Sequence, residues 1–369
     1  MRSLRVRSLQ IPFRQSFKHA SAERSVTQSL WVEVRARTGG LGLGEGCPRE
    51  YVTGESVESA LLFVEKVRSE VATLRGIEEL RAWVDMHRAQ IDANPAAWCA
   101  IELALLDAMA RERDQPVEQL LSLPAVKGPF HYTAVLGAGD LESFGRQLAS
   151  YQRLGFRDFK VKLSGDLAAD GARLKMLQEQ RDAIGTVRLD ANNLWADAER
   201  ACAHLTALPR IFFAIEEPLR VGDHEGHCRI AETLGLQIIL DESLLRLEQL
   251  DCLSPSVGPW ILNVRISKLG GLLRSLAVVA RAAQLGLPII LGCQVGETSL
   301  LTRAALTLAE SAKSRGLVGQ EGAFGTLLLA SDIVSPSLTV GREGVLDVTR
   351  FDFEVAPGFG LTEVKADSA

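Results

Sequence analysis

The stretch Asp158-Phe159-Lys160-Val161-Lys162-Leu163 decides how this chain is read. Gly155 bounds it on one side and Ser164-Gly165 on the other, which marks a short strand. Residues i and i+2 of a strand share a face, so Lys160 and Lys162 point the same way. Two amines on one face of an otherwise apolar strand are costly unless something uses them. The next three apolar runs each end in an acid: Val187-Arg188-Leu189-Asp190, Ile211-Phe212-Phe213-Ala214-Ile215-Glu216 and Ile238-Ile239-Leu240-Asp241. A further lysine, Lys268, follows Ile261-Leu262-Asn263-Val264-Arg265-Ile266. From Lys162 through Asp190, Glu216 and Asp241 to Lys268 the steps are 28, 26, 25 and 27 residues. One strand, one helix and two short connections need about that many. Each charged residue is therefore expected at the C-terminal end of a successive parallel strand, where closed strand–helix barrels build their active sites.

Working outward, 369 residues suggest two domains. A net charge of −5 with no basic cluster argues against a nucleic acid or an anionic membrane as partner. Cys47, Cys99, Cys202, Cys228, Cys252 and Cys293 show no paired spacing and read as reduced thiols of a cytoplasmic enzyme. No run approaches the roughly 20 apolar residues of a membrane span, and no apolar signal core follows the basic N-terminus.

Three regions are expected: an α+β N-terminal domain over 1–125, a barrel over 126–345, and a segment over 346–369 that returns to the first domain. Ser29–Arg35 is a clear strand, and Leu41–Gly46, after Gly39-Gly40, is its hairpin partner. Helices open at Thr53-Gly54-Glu55-Ser56 and at Asn94-Pro95, with Ile101, Leu105, Ala108 and Met109 on a core face. Residues 15–24 read as a polar loop, either solvated or a lid in which His19 and Arg24 would meet substrate, with Tyr51 nearby. Pro288–Gly292 and Gly316–Gly319 supply the last two barrel strands, and Leu346–Val364 reads as extended chain.

Asp190, Glu216 and Asp241 bring three carboxylates to one barrel mouth. Hard oxygen ligands with open positions suit Mg²⁺, with Mn²⁺ as the alternative. Asn192 and Glu242 stand beside them as residues that could orient the ligands. A cation cluster that chelates a carboxylate acidifies the adjacent C–H by stabilising the enediolate left behind. Lys162 is the expected base, with Lys160 and the metal ion lowering its pKa, and Lys268 faces the substrate from the opposite side. Cys293 and Glu297 follow the seventh strand; Glu297 is either a helix-start acid or an acid bonded to the site. His224, His227 and Cys228 lack a second ligand pair for zinc and read as a loop.

With these residues placed, the chain resembles the enolase superfamily, in its muconate-lactonizing subgroup. Lys160-Val161-Lys162, Leu189-Asp190-Ala191-Asn192, Ile215-Glu216-Glu217-Pro218, Leu240-Asp241-Glu242-Ser243 and Ser267-Lys268-Leu269-Gly270-Gly271 carry the resemblance. It implies an α/β fold, a modified TIM barrel (β/α)₇β under an α+β capping domain. It also implies Mg²⁺ on Asp190, Glu216 and Asp241, an acid/base pair in Lys162 and Lys268, a small-molecule carboxylate substrate and a homo-oligomer. Dipeptide epimerases of this subgroup carry an Asp-x-Asp at the eighth strand. The equivalent stretch here, Gln320-Glu321-Gly322-Ala323-Phe324-Gly325-Thr326, lacks it and looks more like the muconate cycloisomerases. Glu321 and Phe324 are then substrate-side candidates.

Cycloisomerisation is thus the first expectation. Racemisation or epimerisation of N-substituted amino acids or dipeptides, and dehydration of the o-succinylbenzoate synthase type, are the alternatives. A binding protein that has lost its chemistry should have lost a ligand or a lysine, and all five are kept. An aldolase or hydrolase barrel would need a Schiff-base lysine without the carboxylate trio, or histidine ligands.

Overall fold

The glycines of Leu41-Gly42-Leu43-Gly44-Glu45-Gly46 set the packing of the N-terminal domain. The computed structural model describes residues 2–19, 22–37, 39–253, 258–321 and 327–364, with the side chains of 15–19 and 22–24 excepted. The chain opens with strands β1 (Ser3–Leu9), β2 (Pro12–His19), β3 (Ala22–Val26), β4 (Ser29–Arg35) and β5 (Leu41–Gly46), of which β1, β4 and β5 form an antiparallel sheet. Helices α1 (Glu50–Thr53), α2 (Val57–Val71), α3 (Ile77–Met86), α4 (Arg88–Asp92), α5 (Pro95–Glu112) and α6 (Val117–Leu120) follow. A Cβ on Gly44 would lie 1.9 Å from the carbonyl oxygen of Ala100, and one on Gly42 2.3 Å from that of Ala104. The alanine face of α5 therefore rests directly on the backbone of β5. The helix is buried almost all round, including Ile101, Leu105, Ala108 and Met109 as expected, and also Glu102 and Asp107.

The barrel region comprises β6 (Phe130–His131), β7 (Ala134–Leu136), α7 (Leu141–Arg153), β8 (Phe159–Lys162), α8 (Leu167–Gln178), β9 (Val187–Asp190), α9 (Ala198–Ala207), β10 (Ala214–Glu216), α10 (His224–Leu234), β11 (Gln237–Leu240), β12 (Trp260–Val264), α11 (Ile266–Leu269), α12 (Leu272–Gln284), β13 (Ile289–Leu291), α13 (Ser299–Ala312) and β14 (Leu317–Gln320). Strands β7 to β14 pair side by side in chain order, all parallel. The Thr133 amide donates to the Gln320 carbonyl at 2.8 Å and joins the last strand to the first. A 3₁₀ turn over Leu247–Cys252 serves as the fifth crossing. This is the expected barrel. Ala214, Ile239, Ile261 and Ile290 form their own buried cluster, and Glu216, Asp241 and Asn263 stand two residues beyond the first three of them. The short strands β15 (Val334–Ser335), β16 (Val345–Leu346) and β17 (Thr362–Glu363) complete the fold.

How the barrel helices begin ties the two domains together. Asp140, Asp166, Asp197 and Asp223 cap α7 to α10 with their own side chains. The start of α12 receives its acid from the other domain, where Glu102 accepts from the Leu273 amide at 2.9 Å. At the start of α13, Glu45 accepts from the Thr298 amide at 3.1 Å and from its hydroxyl at 2.6 Å. Such a cap contributes about 1 kcal/mol.

Four expectations need correction. Residues 15–19 and 22–24 are not loop: their backbone lies in the antiparallel arms of the β2–β3 hairpin. That hairpin is anchored on the barrel by the Phe13–Leu329 bridge and by the Ala330 amide, which donates to the Pro12 carbonyl at 2.8 Å. His224, His227 and Cys228 lie on α10, because Asp223 caps it and Gly235 ends it in the left-handed conformation. Lys268 sits on the short helix α11 rather than at a strand end. Residues 346–364 are mostly turns, with strand only at the two ends. Among the described residues no helix is long and apolar enough to cross a membrane.

Candidate active site

Register brings the charged residues together. Lys162 pairs with Asp190 across β8 and β9, and Asp190 with Glu216 across β9 and β10. Asp241 follows β11, two residues beyond Ile239, the partner of Glu216. Asp190, Glu216 and Asp241 are each at most 1% exposed. Three buried carboxylates on adjacent strands repel one another, and the structure shows what offsets this. The Lys160 ammonium lies 3.4 Å from Asp190, 3.3 Å from Glu216 and 3.0 Å from Glu321. The Arg265 guanidinium bonds Asp241 and lies 3.5 Å from Glu216. Lys160 thus bridges the first two carboxylates and Arg265 the last two.

The two lysines flank this row. Lys162 donates to Asp190 Oδ2 and to Asn192 Oδ1, both at 2.9 Å. Lys268 donates to Asp241 Oδ1 at 2.8 Å, to the Asp241 carbonyl at 2.6 Å and to the Asn263 carbonyl at 2.9 Å. From β8 to α11 the order is lysine, carboxylate, carboxylate, carboxylate, lysine. Lys160 does not stand free beside Lys162 as the sequence suggested, since three carboxylates engage it.

Titration follows from these contacts. Burial works against the Lys160 charge, but Glu216, Glu321 and Asp190 outweigh it and hold the ammonium above its ordinary value. Asp190 is buried, yet Lys162 and Lys160 hold it below the usual carboxylate range. Asp241 is likewise held low against burial by Arg265 and Lys268. Glu216 differs: burial pushes it up to about 8, and Lys160 only partly offsets this. Burial rather than a lack of cations is the first cause, since Lys160, Lys162, Arg265 and Lys268 between them engage all three carboxylates. No three acids, histidines or cysteines among the described residues close tightly on a common point. In this structure the side-chain cations hold the carboxylates instead. Asp190, Glu216 and Asp241 are the residues that could hold a hard divalent ion here, with Mg²⁺ fitting an all-oxygen set.

Several residues to which the sequence reading gave no role complete the site. Glu217, at a positive φ of 39°, accepts from the amides of Asp241 and Ser243, both at 2.7 Å, and so fixes the turn that carries Asp241. Burial pushes its carboxyl up to about 7. Asn263 donates to Glu216 Oε1 at 3.0 Å. Arg188 bonds Glu321 and donates to Thr133 Oγ1 at 3.1 Å. The strand rule that paired Lys160 with Lys162 would have found Arg188 two residues before Asp190, and Asn263 on β12 with Arg265 two residues on, just past its end.

The remaining candidates are scattered around this centre. Glu242 is buried with one carboxylate oxygen lacking a hydrogen-bond partner among the described residues, and burial followed by the Asp241 charge pushes it up to about 8. Glu297 accepts from the Gln294 amide at 2.6 Å, inside the loop after β13, and burial raises it to about 8. The Cys293 thiol lies 3.6 Å from the Glu321 carbonyl, and burial raises its pKa. Tyr51 sits on α1, partly exposed. His19 and Arg24 pair with Ala22 and Phe17 in the hairpin, but their side chains lie outside the described residues, as does Phe324 entirely. His227 accepts from the Leu219 amide at 3.4 Å on its own helix–strand junction, away from any metal-like cluster.

Comparison with known proteins agrees with this geometry. Residues 1–122 match the family described as mandelate racemase / muconate lactonizing enzyme, N-terminal domain, and residues 143–366 match the enolase C-terminal domain-like family. The L-Lys-D/L-Arg epimerase of Methylococcus capsulatus is 28% identical over 97% of this chain and 98% of its own. The N-succinyl-L-Arg/Lys racemase of Bacillus cereus is 26% identical over 83% of each. A crystal structure of the dipeptide epimerase from Methylococcus capsulatus, complexed with Mg and the dipeptide L-Arg-D-Lys, superposes with a TM-score of 0.84 at 26% identity, covering 98% of this chain and 99% of that one. The chain belongs to the enolase superfamily, in its mandelate racemase / muconate lactonizing enzyme group.

Proposed function

We propose that this protein is a Mg²⁺-dependent racemase or epimerase that removes and returns the α-proton of an N-acylated amino acid, dipeptides included. The observation that carries this reading is the symmetry of the row: Lys162 on Asp190 at one end and Lys268 on Asp241 at the other, with Glu216 between them. A one-base reaction needs one such lysine; inversion at carbon needs a proton donor and acceptor on either side. The epimerase and racemase relatives favour this over the cycloisomerisation that the eighth-strand sequence suggested.

The donor chemistry fits a divalent ion. Asp190, Glu216 and Asp241 offer only carboxylate oxygens, and Glu242 beside Asp241 keeps a buried oxygen without a hydrogen-bond partner among the described residues. Asp190, Glu216 and Asp241 would hold the ion, and when bound it would supply charge stabilisation to the enediolate form of the substrate carboxylate. The protein does the rest. Lys162, as the neutral amine, takes the α-proton from one enantiomer and becomes the ammonium that Asp190 and Asn192 hold. Lys268, held by two carbonyls and Asp241, does the same for the other. Lys160 stands between Asp190 and Glu216 and Arg265 between Glu216 and Asp241, and with Lys162 and Lys268 they hold Asp190 and Asp241 charged. The β2–β3 hairpin, anchored near the mouth through Leu329, serves as the lid that excludes water.

Glu321 narrows the substrate. It stands at the end of the eighth strand but is engaged by Lys160 and Arg188, so it is not free to pair with a substrate ammonium. An N-acyl group without a free α-ammonium is therefore favoured over an unblocked dipeptide. The test is loss of the α-proton signal in D₂O across a panel of N-acyl amino acids and dipeptides at saturating Mg²⁺. No exchange from any member, with product formed from a muconate-type substrate, would overturn the reading.

A further inference from the structure

The loop Gln294–Thr298, between β13 and α13, touches both the capping domain and the carboxylate row. Three side chains of the N-terminal domain hold it. Thr27 Oγ1 donates to the Gly296 carbonyl at 2.8 Å, Arg49 donates to the Val295 carbonyl, and Glu45 accepts from Thr298. The contact is close: Gly296 has φ 89°, and a Cβ there would lie 2.8 Å from Thr27 Oγ1. Inside the loop, Glu297 accepts from the Gln294 amide. Gln294 is 1% exposed, and its Oε1 accepts from Arg265 Nη1 at 3.2 Å. The orientation of that amide is set by chemistry, because a guanidinium has only donors and must meet the oxygen. Gln294 Nε2 is then left buried without a partner among the described residues. Arg265 in turn spans Asp241 and Glu216.

We propose that this loop is a positioning device: Thr27, Arg49 and Glu45 of the capping domain hold Gln294, which aims Arg265 and so sets the spacing of Glu216 and Asp241 for a divalent cation. The inference rests on the metal reading above. None of the three capping residues has a hydrogen bond or ion pair with Asp190, Glu216 or Asp241 among the described residues, so their influence on a metal must pass through the loop. The loop thus acts as a brace for geometry rather than as a ligand.

The test uses ions alone. Mg²⁺ demands near-ideal octahedral geometry, whereas Ca²⁺ accepts irregular sites. Calorimetric affinities for both are measured on the wild type, Gln294→Met, Thr27→Val and the double variant. Gln294→Met keeps volume but removes the acceptor that orients Arg265. A hydrogen bond to a charged group is worth about 1.5–3 kcal/mol, so Mg²⁺ binding should weaken about tenfold or more, with Ca²⁺ binding changed less. Thr27→Val should shift Mg²⁺ in the same direction, and the double variant should be no weaker than Gln294→Met, since both act through one path. Melting curves establish that each variant is folded, and Thr27→Val suffices should Gln294→Met fail to fold. Wild-type protein that binds no Mg²⁺ would refute the metal reading. Wild-type binding with unchanged Mg²⁺ affinity in the variants, equal loss for both ions, or additive effects would overturn the positioning role alone.

Discussion

Alanine at each of the two lysines separates the halves of the proposed reaction. Lys268→Ala removes a buried ammonium with three oxygen acceptors and leaves Asp241 facing Arg265 alone. Breaking a buried ion pair from one side costs about 3–5 kcal/mol. Lys162 is 8% exposed against 1% for Lys268 and makes two hydrogen bonds, and Asp190 keeps Lys160 at 3.4 Å, so Lys162→Ala should cost about 1–3 kcal/mol. Melting curves should therefore show Lys268→Ala as the less stable variant. The kinetic effects divide by hand of the substrate. A positioned acid or base contributes about 10²–10⁴-fold, so each variant should lose at least a hundredfold in α-proton exchange from one enantiomer and little from the other. Deuterium wash-in followed by proton NMR, started separately from each enantiomer, reads this directly. Exchange from both enantiomers lost in one variant and only slowed in the other would refute the two-sided mechanism and restore a one-base cycloisomerase or dehydratase. Full activity in Lys162→Ala would defeat both.

Three further outcomes are expected. Asp241→Asn should abolish calorimetric Mg²⁺ binding while the far-ultraviolet circular dichroism persists; unchanged binding sinks the ligand assignment. Burial raises Glu45 and Glu102 from 4.5 to about 7, so their contribution to stability is present in full below pH about 4.5 and is lost as pH rises through about 7. The melting temperature should fall between pH 5 and pH 8, and Glu102→Gln should flatten that fall; an equal fall in the variant would count against this linkage. Gly44→Ala should cost about 3 kcal/mol or more in urea unfolding, because the new methyl meets the Ala100 carbonyl at 1.9 Å; a cost near zero would show that α5 can move away from β5.

Much of the site was legible because it obeys local rules. The spacing of Lys162, Asp190, Glu216 and Asp241 reflects the length of one strand–helix unit, and that length is a property of the backbone. Caps such as Ser56 and Asn94-Pro95 likewise announce α2 and α5 from nearest neighbours. What was missed depends on closure. Arg265 looks like any strand-end arginine until β10 and β11 come alongside and present Glu216 and Asp241. Residues 15–24 carry the polar composition of a loop, yet their backbone pairs because their anchors, Phe13 and Thr27, dock on a barrel more than 260 residues away. His224 and His227 follow a run of turn residues, and only the cap by Asp223 turns them into helix.

The segment around Gly358 closes on α5 and α6. The Asp107 carboxylate accepts from the Phe359 amide at 2.8 Å, Arg111 donates to the Leu361 carbonyl at 2.6 Å, and the Val117 amide donates to the Gly358 carbonyl at 3.0 Å. Arg7 and Glu363, 356 positions apart, meet at 2.8 Å. During synthesis the N-terminal domain is therefore made before the barrel and finished only after it. At about 5–20 residues per second, some tens of seconds separate α5 from the strand of chain that completes its surroundings. Through that interval Asp107 lacks one of its amide partners, and the barrel must assemble beside an incomplete neighbour. Chains released before residue 358 should accordingly be the ones that chaperones and proteases find.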